Sequence, residues 1–311
     1  MNRTEIADRL KNAGIENYIF EAKIIEEHAR KYNCDKIELE DMITRRENRE
    51  PLQYILGEWE FYGDVYKLNS DCLIPRPETE FLTEYVITNA KQNAIILDLC
   101  SGTGCISISA LKRRKDLTGI LIDVSSGAVE ISKENARING VFDRINFYCF
   151  DIINDFEKIL NVVVAGIARP PGLIVSNPPY LTKSEVEQIK TERTELYHEP
   201  ETAFFGGGDG LDFYRFIINN YSNSFRNDTV TVFECGINQS KDIVEMFGEI
   251  GFSCDVICDY NKIERIVAGH CQQVKAYPPA VATASPFCER GQRKETRQIP
   301  CLLSQKEVSP Q

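Results

Sequence analysis

The sequence predicts an α/β protein with a mainly parallel sheet, preceded by a small helical domain. From about residue 94, short apolar runs alternate with stretches of helical periodicity. The first run leads into a glycine-containing loop at 100–104, and acidic residues or an asparagine follow the next three runs. Strands separated by helices require crossover connections, so the strands are expected to pair in parallel.

The N-terminal part of the chain differs from the rest in its periodicity. Residues 1–50 carry apolar residues at helical spacing among many charged ones, and we expect a helical module there. Residues 51–73 are rich in aromatic and β-branched residues around Gly63-Asp64, which is typical of a β-hairpin linker.

The sheet is expected within a larger domain at 74–270. This domain should begin with two prolines, followed by a helix near 80–90. Its strands are predicted at 94–99, 119–123, 145–150, 173–176, 230–234, 254–259 and 265–268. The last two lie too close together for a helix between them, so one should be antiparallel. Residues 271–311 lose all periodicity and are rich in small and turn-forming residues, which predicts a disordered tail.

Composition narrows the class of function. The formal net charge of −11 over 311 residues argues against a protein that grips nucleic acid through its phosphates. The 11 cysteines include no Cys-x-x-Cys pair, so we expect neither a metal site nor a disulfide framework. No apolar run approaches the roughly 18 residues of a membrane span, and four of the first ten residues are charged. A cytoplasmic protein that does not bind membranes is expected.

The first strand leads into a loop suited to a nucleoside-containing ligand. The loop reads Cys100-Ser101-Gly102-Thr103-Gly104, and its glycines let the backbone approach a ligand beside the N-terminus of the next helix. About twenty residues later, Asp123 ends the second strand, where a carboxylate can accept both ribose hydroxyls.

Asp98 distinguishes between the possible cofactors. A dinucleotide loop needs Gly-x-Gly-x-x-Gly, whereas this one has Cys100 at the first position and Ile106 near the third. A carboxylate at Asp98 repels a pyrophosphate but suits the cationic amino-acid end of S-adenosylmethionine. The alternatives are a nicotinamide or flavin site, or a glycine turn without a ligand.

Two residues at the end of the third strand complete the expected donor site. Asp151 lies at the height expected for an adenine amino group, and Ile152 is placed to cover the adenine face. The alternative for Asp151 is a solvated acid, which is common at strand ends.

The fourth strand ends in the turn Asn177-Pro178-Pro179-Tyr180. Two prolines fix φ near −65° and keep the preceding residues extended, so the Asn177 carboxamide projects from a stiff backbone. Such an amide can accept a hydrogen bond from another planar amide, or from an amino-substituted base, and donate one in return. The turn is therefore a candidate binding site for a methyl-accepting nitrogen.

Taken together, these motifs resemble those of the release-factor glutamine methyltransferases, which are protein N5-glutamine methyltransferases. The likeness extends over residues 1–270 and includes these segments: 53–58, 61–63, 74–80, 98–104, 177–180, 199–200, 207–214, and 234–236 with Gln239. It implies a Rossmann-like class I S-adenosylmethionine-dependent methyltransferase sheet. It also implies that the helical module helps to engage the substrate, a peptide chain release factor.

The resemblance assigns roles to particular residues. It implies that Cys100 to Gly104 and Asp123 contact the methyl donor, S-adenosyl-L-methionine. Asn177 would touch both donor and acceptor, and Pro178, Pro179 and Tyr180 would complete the acceptor pocket. The acceptor would be the glutamine of a Gly-Gly-Gln motif. A DNA or RNA adenine N6-methyltransferase is the main alternative, because a flipped adenine presents a similar NH₂ group to the same turn. A protein that binds the donor without turnover is another.

Overall fold

The structure, a computed structural model, describes residues 2–166, 170–225 and 229–271. The described chain divides into two compact units, the first ending at Gly57 and the second beginning at Glu58. The disorder expected for residues 271–311 lies outside the described residues, except for Cys271, which ends a strand.

The first unit is helical, as its apolar spacing predicts. Its helices are α1 Arg3–Asn12, α2 Tyr18–Tyr32, α3 Lys36–Glu47 and α4 Leu52–Leu56. Asn2 and Asp35 begin α1 and α3 with capping boxes, in which the side chain accepts from the backbone of the first turn. Ile6, Leu10 and Ile25 have no exposed surface and form its core.

The second unit begins with a hairpin of β1 (Glu58–Phe61) and β2 (Asp64–Lys67). Tyr62 and Gly63 both have positive φ, which matches the twist of a two-residue hairpin turn. The hairpin was expected within a linker at 51–73, but that segment is divided. Residues 52–56 are helical, and the hairpin packs into the second unit because its apolar side chains are buried in the core there.

The main sheet has seven strands in the order β5-β4-β3-β6-β7-β9-β8. The strands are β3 Ile95–Leu99, β4 Thr118–Asp123, β5 Ile145–Cys149, β6 Leu173–Ser176, β7 Val230–Glu234, β8 Phe252–Cys258 and β9 Glu264–Cys271. The first five pair in parallel, whereas β9 is antiparallel to both β7 and β8. Every predicted strand is present, and one of the last two is antiparallel as expected.

Helices cover both faces of this sheet. They are α5 Thr79–Asn89, α6 Cys105–Arg113, α7 Ser126–Ile138, α8 Phe156–Gly166, α9 Lys183–Glu192, α10 Asp212–Phe216 and α11 Ser240–Glu249. Side chains alternate along β3, so that Ile96 packs into one core cluster and Leu97 and Leu99 into the other. Among the described helices, none has both the length and the apolar character that crossing a bilayer requires.

The order of the strands places the ligand site. From β3 the chain moves outward through β4 to β5, and then returns to β6 on the other side of β3. Such a reversal opens a crevice at the carboxyl ends of the two strands that flank it. The loop at 100–104 follows β3 and the turn at 177–180 follows β6, so both lie at this crevice.

Candidate active site

A cavity of ≈570 Å³ lies at the carboxyl edge of the sheet. This volume is within the range of pockets that hold small molecules and cofactors. The structure places nine of the predicted site residues on its wall: Cys100, Ser101, Gly102, Thr103, Asp123, Asp151, Ile152, Asn177 and Pro179. Four others, Asp98, Gly104, Pro178 and Tyr180, are not part of the wall.

The glycine loop at 100–104 makes a tight turn beside the cavity. Cys100, Gly102 and Gly104 all have positive φ. The Gly104 N–H donates to the Ser101 carbonyl at 2.8 Å, which closes the turn before α6. A Cβ at Gly104 would lie 2.5 Å from Ser132 Oγ, so close packing against α7 requires glycine here. Gly104 therefore shapes the loop from behind the cavity wall.

Asp123 is held by the loop it faces. Its Oδ2 accepts from the Gly102 N–H at 2.8 Å, and its Oδ1 accepts from the Ser125 N–H at 2.9 Å. Burial raises the pKa of the Asp123 carboxyl, and these N–H groups oppose that rise. Each carboxylate oxygen can accept more than one hydrogen bond, so both retain capacity toward the cavity. These two acceptor oxygens fit a pair of ribose hydroxyls, which would donate to them.

Asp151 and Ile152 follow β5 on the cavity wall. Asp151 Oδ1 accepts from the N–H groups of Ile153 and Asn154, at 2.8 and 3.0 Å. Burial raises the pKa of Asp151, but hydrogen bonds from Asn154 and Ile153 outweigh it and leave that pKa below its ordinary value. The carboxylate is thus fixed and charged. Ile152 is 3% exposed and, with Phe150 and Val124, gives this wall an apolar surface suited to an aromatic base.

Asp98 lies behind the cavity wall, although the sequence placed it inside the site. Its side chain turns toward α6, where its Oδ2 accepts from Ser107 Oγ at 2.6 Å. Its Oδ1 is buried and has no hydrogen-bond partner in the described part of the chain. Burial raises the pKa of Asp98 to about 7, against the effect of the Ser107 hydrogen bond. A contact between Asp98 and the donor stays a prediction.

The turn after β6 brings Asn177 to the cavity. Asn177 is half-buried, and the two following prolines are buried. The Asn177 Nδ2 donates to Thr79 Oγ1 at 3.3 Å. Pro179 is fixed by the close approach of another loop, because a Cβ at Gly206 would lie 2.5 Å from the Pro179 carbonyl oxygen. Rigid neighbours therefore hold the Asn177 carboxamide at the cavity wall.

Tyr180 contacts the loops around it instead of the cavity. Its ring lies against Gly236, where a Cβ would come within 3.0 Å of Tyr180 Cδ2. Gln239 Nε2 donates to the Tyr180 carbonyl at 2.9 Å and to the Gly210 carbonyl at 3.3 Å, while Gln239 Oε1 accepts from the Gly236 N–H at 3.0 Å. One amide side chain thus joins the loops that follow β6 and β7 to the loop before α10.

The proline-rich segment at 74–80 contributes Pro75, Arg76 and Thr79 to the cavity wall. Arg76 pairs with Glu199 at 2.5 Å, and the second Glu199 oxygen accepts from the Ile74 N–H at 3.1 Å. Glu199 is 4% exposed, so this carboxylate fixes the segment from a buried position. Glu80 accepts from the Tyr62 N–H at 2.8 Å and so supports the hairpin.

Sequence reasoning missed several of these residues. Thr79, Glu199, Glu234 and Gln239 fall in segments that the motifs include, but no motif gives their contacts. A hydrogen bond between residues 98 positions apart, such as that of Thr79 with Asn177, leaves no local pattern in one sequence. Within the ranges that the structure describes, no group of three or more His, Cys, Asp or Glu is arranged to hold a metal ion.

Comparison with known proteins identifies a family for this chain. Residues 77–194 match the methyltransferase small domain. The chain is 34% identical over 237 residues to the release factor glutamine methyltransferase of Fusobacterium nucleatum, covering 75% of this chain and 64% of that protein. It is 36% identical over 235 residues to that of Thermodesulfovibrio yellowstonii, covering 74% of this chain and 79% of that protein. It is 31% identical over 283 residues to the release factor glutamine methyltransferase of Aquifex aeolicus, covering 86% of this chain and 96% of that protein.

A solved structure supports the fold alone. The hMettl16 catalytic domain in complex with the MAT2A 3′UTR hairpin 6 superposes with a TM-score of 0.54 at 15% identity, covering 76% of this chain and 84% of that one. The sheet order, the cavity and the relatives agree on a Rossmann-like class I methyltransferase fold. The extent and identity of the sequence matches show that this chain belongs to the family of release factor glutamine methyltransferases.

Proposed function

We propose that this protein transfers a methyl group from S-adenosylmethionine to the side-chain amide N5 of the glutamine in the Gly-Gly-Gln motif of a peptide chain release factor. The observation that carries the proposal is the position of Asn177. Its carboxamide lies on the same cavity wall as the glycine loop and Asp123, so an acceptor amide and a nucleoside donor can meet there.

The cavity suits the donor in its chemistry. Asp123 offers acceptors for ribose hydroxyls, and the apolar surface of Ile152, Phe150 and Val124 suits the adenine ring. Asp151 adds an acceptor for the adenine amino group. The bound donor supplies an electrophilic methyl group on a sulfonium. The described residues around the donor need only bind and orient the two substrates and exclude water from the site.

Orientation is the main task at the acceptor. An amide nitrogen is a poor nucleophile, because its lone pair is delocalised into the carbonyl. The Asn177 Oδ1 and the Pro178 carbonyl oxygen would each accept a hydrogen from the substrate NH₂, so that the nitrogen lone pair points along the methyl–sulfur bond. Within the described residues, the Pro178 carbonyl accepts no other hydrogen bond. Tyr180 supports this turn through Gln239.

The first unit serves the protein substrate in this proposal. Its exposed surface includes large apolar side chains, such as Ile19 (65% exposed) and Ile37 (80% exposed). We take these two side chains as the first positions at which to test contact with the release factor. A release factor as substrate supports a reaction in the cytoplasm, which is part of this proposal.

The test is methyl transfer from labelled donor to a recombinant release factor, followed by peptide mass mapping. We expect one methyl group on the glutamine of the Gly-Gly-Gln motif, giving N5-methylglutamine and S-adenosylhomocysteine. A release factor with that glutamine replaced by alanine is the matched control. Label in adenine of DNA or RNA, with none in the release factor, would establish the adenine methyltransferase instead. Donor binding without any turnover would support the non-catalytic alternative.

A further inference from the structure

The loop after β5, at residues 151–155, is closed on itself by hydrogen bonds. The Asp151 carboxylate accepts from the N–H groups of Ile153 and Asn154, at 2.8 and 3.0 Å, and from Asn154 Nδ2 at 2.7 Å. The Asp151 carbonyl accepts from the Asp155 N–H at 2.9 Å. These bonds set the shape of the loop, but none of them joins it to another part of the chain.

A contact from outside the loop is made by Tyr221. Its hydroxyl donates to the Ile152 carbonyl at 2.8 Å. Tyr221 is fully buried and lies behind the cavity wall, whereas Ile152 is part of that wall. The Phe156 ring packs edge-on against the Tyr221 ring, with the ring centroids 4.9 Å apart. Burial raises the pKa of Tyr221, so the hydroxyl keeps its hydrogen at neutral pH and can donate it.

The backbone around Tyr221 has an uncommon conformation. After α10 the chain continues as a π-helix at Ile217–Ser222, in which hydrogen bonds span five residues instead of four. The wider turn gives later side chains a different direction from that in a continued α-helix. The Ser222 Oγ supports the turn, because it lies 2.8 Å from Thr231 Oγ1 on β7. Single π turns are rare and are frequent at functional sites.

Tyr214, on α10, makes a similar bond at a different place. It is also fully buried, and its hydroxyl donates to the Glu234 carbonyl at 3.0 Å. Glu234 ends β7, and three strands separate β7 from β5. Two tyrosines of one helical segment therefore each hold a backbone carbonyl. Of the two carbonyls, that of Ile152 belongs to a residue of the cavity wall and that of Glu234 does not.

We propose that Tyr221 is a positioning residue that sets the base specificity of the donor site, because it fixes Ile152 and the adjacent Asp151 against the adenine. The adenine amino group can donate to Asp151 only where the carboxylate is held in place, and Ile152 covers the ring only if its backbone does not shift. A hydroxyl bonded to the Ile152 carbonyl meets both needs. The inference rests on the placement of adenine under the proposed function, but not on the identity of the methyl acceptor.

Calorimetry with the full-length protein tests the base specificity without turnover. The two ligands are S-adenosylhomocysteine and S-inosylhomocysteine, which carries an oxygen in place of the adenine amino group. We expect wild type to prefer the first by about tenfold or more, since the amino group donates to a charged carboxylate. Asp151→Ala should lose this preference. A wild type without the preference, or Asp151→Ala with it, would refute the proposal.

Tyr221→Phe keeps the packed ring and removes only the hydroxyl. We expect affinity for S-adenosylhomocysteine to fall about tenfold, because the buried Ile152 carbonyl loses its partner and the loop can shift. Most of the preference for adenine should also be lost, since a displaced carboxylate can accept from the N1–H of hypoxanthine instead.

Tyr214→Phe is the matched control for this variant. It removes one buried hydroxyl from the same helical segment, so urea unfolding should show a comparable loss of stability. Its affinity and its preference for adenine should remain those of wild type. If the two variants had equal affinities and preferences, both hydroxyls would serve the fold alone, and the proposal would be wrong.

Amide hydrogen exchange in the donor-free wild type is a second measurement, and it needs no variant. The N–H groups of Ile153 and Asn154 are bonded to Asp151, so a fixed loop requires that both be protected. Exchange at the rate of an unfolded chain would show that the loop is not fixed before the donor binds, which contradicts the proposal. Base preference that depends on Tyr221, with no methylation of any release factor, would refute the proposed function and leave the role of Tyr221 standing.

Discussion

The Asn177 side chain adds little to the stability of the fold, because it follows β6 and is only half-buried. Asn177→Ala should therefore fold and keep its affinity for the donor, which the glycine loop and Asp123 bind separately. Turnover should fall by about 10² to 10³, the loss that follows removal of one preorganised hydrogen-bonding group. Asn177→Asp retains acceptors but cannot donate to Thr79, and it should also be slow. Calorimetry and single-turnover assays measure the two effects, and a near wild-type rate in either variant would contradict the orientation mechanism.

The protonation state of Asp98 can be tested through the stability of the donor-free protein at different pH values. Its pKa of about 7 lies above its ordinary value of 3.8, so the folded protein keeps a proton that the unfolded chain releases. Wild type therefore loses stability as pH rises from about 4 to about 7, by an amount on the order of 4 kcal/mol for this group. Asp98→Asn lacks this loss, and its stability relative to wild type should increase over the same window.

Urea unfolding between about pH 4.5 and pH 8 measures this difference. Asp116→Asn is the control, because pairing with Arg114 lowers the pKa of Asp116 and its ionisation is complete below this window. A difference between Asp98→Asn and wild type that does not vary with pH would show that Asp98 is already ionised near pH 4.

At this scale, the sequence could predict residues that lie next to a strand end but not the partners that hold them. Asp123, Asp151 and Asn177 each follow a strand that hydrophobicity alone reveals, and all three lie on the cavity wall. Asp98 differs because it is within β3, where side chains alternate between faces, and it points toward α6. The direction of a side chain at a strand end depends on its neighbours in space, which a single sequence does not contain.

Among the elements, strands were easier to predict than short helices. Strands β3 and β6 are mainly apolar runs that are buried along their whole length, and their contrast with the polar residues that follow is visible in a single sequence. The helix at Leu52–Leu56 was missed because five residues are too few to show helical periodicity. Its residues Leu52, Tyr54, Ile55 and Leu56 are all buried, so packing determines this helix more than its own propensity.

The loops around Tyr180 depend on Gln239, and this dependence can be tested. Gln239→Leu keeps the volume but removes the bonds to the Tyr180 and Gly210 carbonyls and to the Gly236 N–H. We expect a loss of about 1 to 3 kcal/mol in the free energy of unfolding, because buried groups lose their partners. Turnover should fall more than donor affinity, since the turn at 177–180 is held by these bonds. The control is Gln188→Leu on exposed α9.

Denaturant unfolding, donor calorimetry and methyl transfer measure the three effects in the same preparations. Gln239→Glu is an informative second variant, because a carboxylate still accepts from Gly236 but cannot donate to Tyr180. If Gln239→Leu matched the Gln188→Leu control in stability and turnover, the three loops would be held by other contacts.

At the scale of the whole molecule, the cavity and the proposed docking surface for the release factor fall in different parts of the chain. The cavity is lined only by residues of the second unit, and the sequence motifs for donor and acceptor lie there too. The first unit has its own core, including the buried pair of Glu21 with Arg46 at 2.6 Å. A separate core lets its surface change without affecting the donor site.

This separation leads to a prediction about the first unit. Replacing the exposed Ile19 and Ile37 by serine should leave folding and donor affinity unchanged, because neither side chain is part of the core. The KM for an intact release factor should rise about tenfold, the scale of losing apolar contacts at a protein interface. Transfer to a short peptide that contains Gly-Gly-Gln should be unaffected. Ile138→Ser, at an exposed isoleucine of the second unit, is the control. Equal losses with peptide and intact protein would place the substrate-binding surface elsewhere, and a loss of donor affinity would show that the first unit supports the fold of the second.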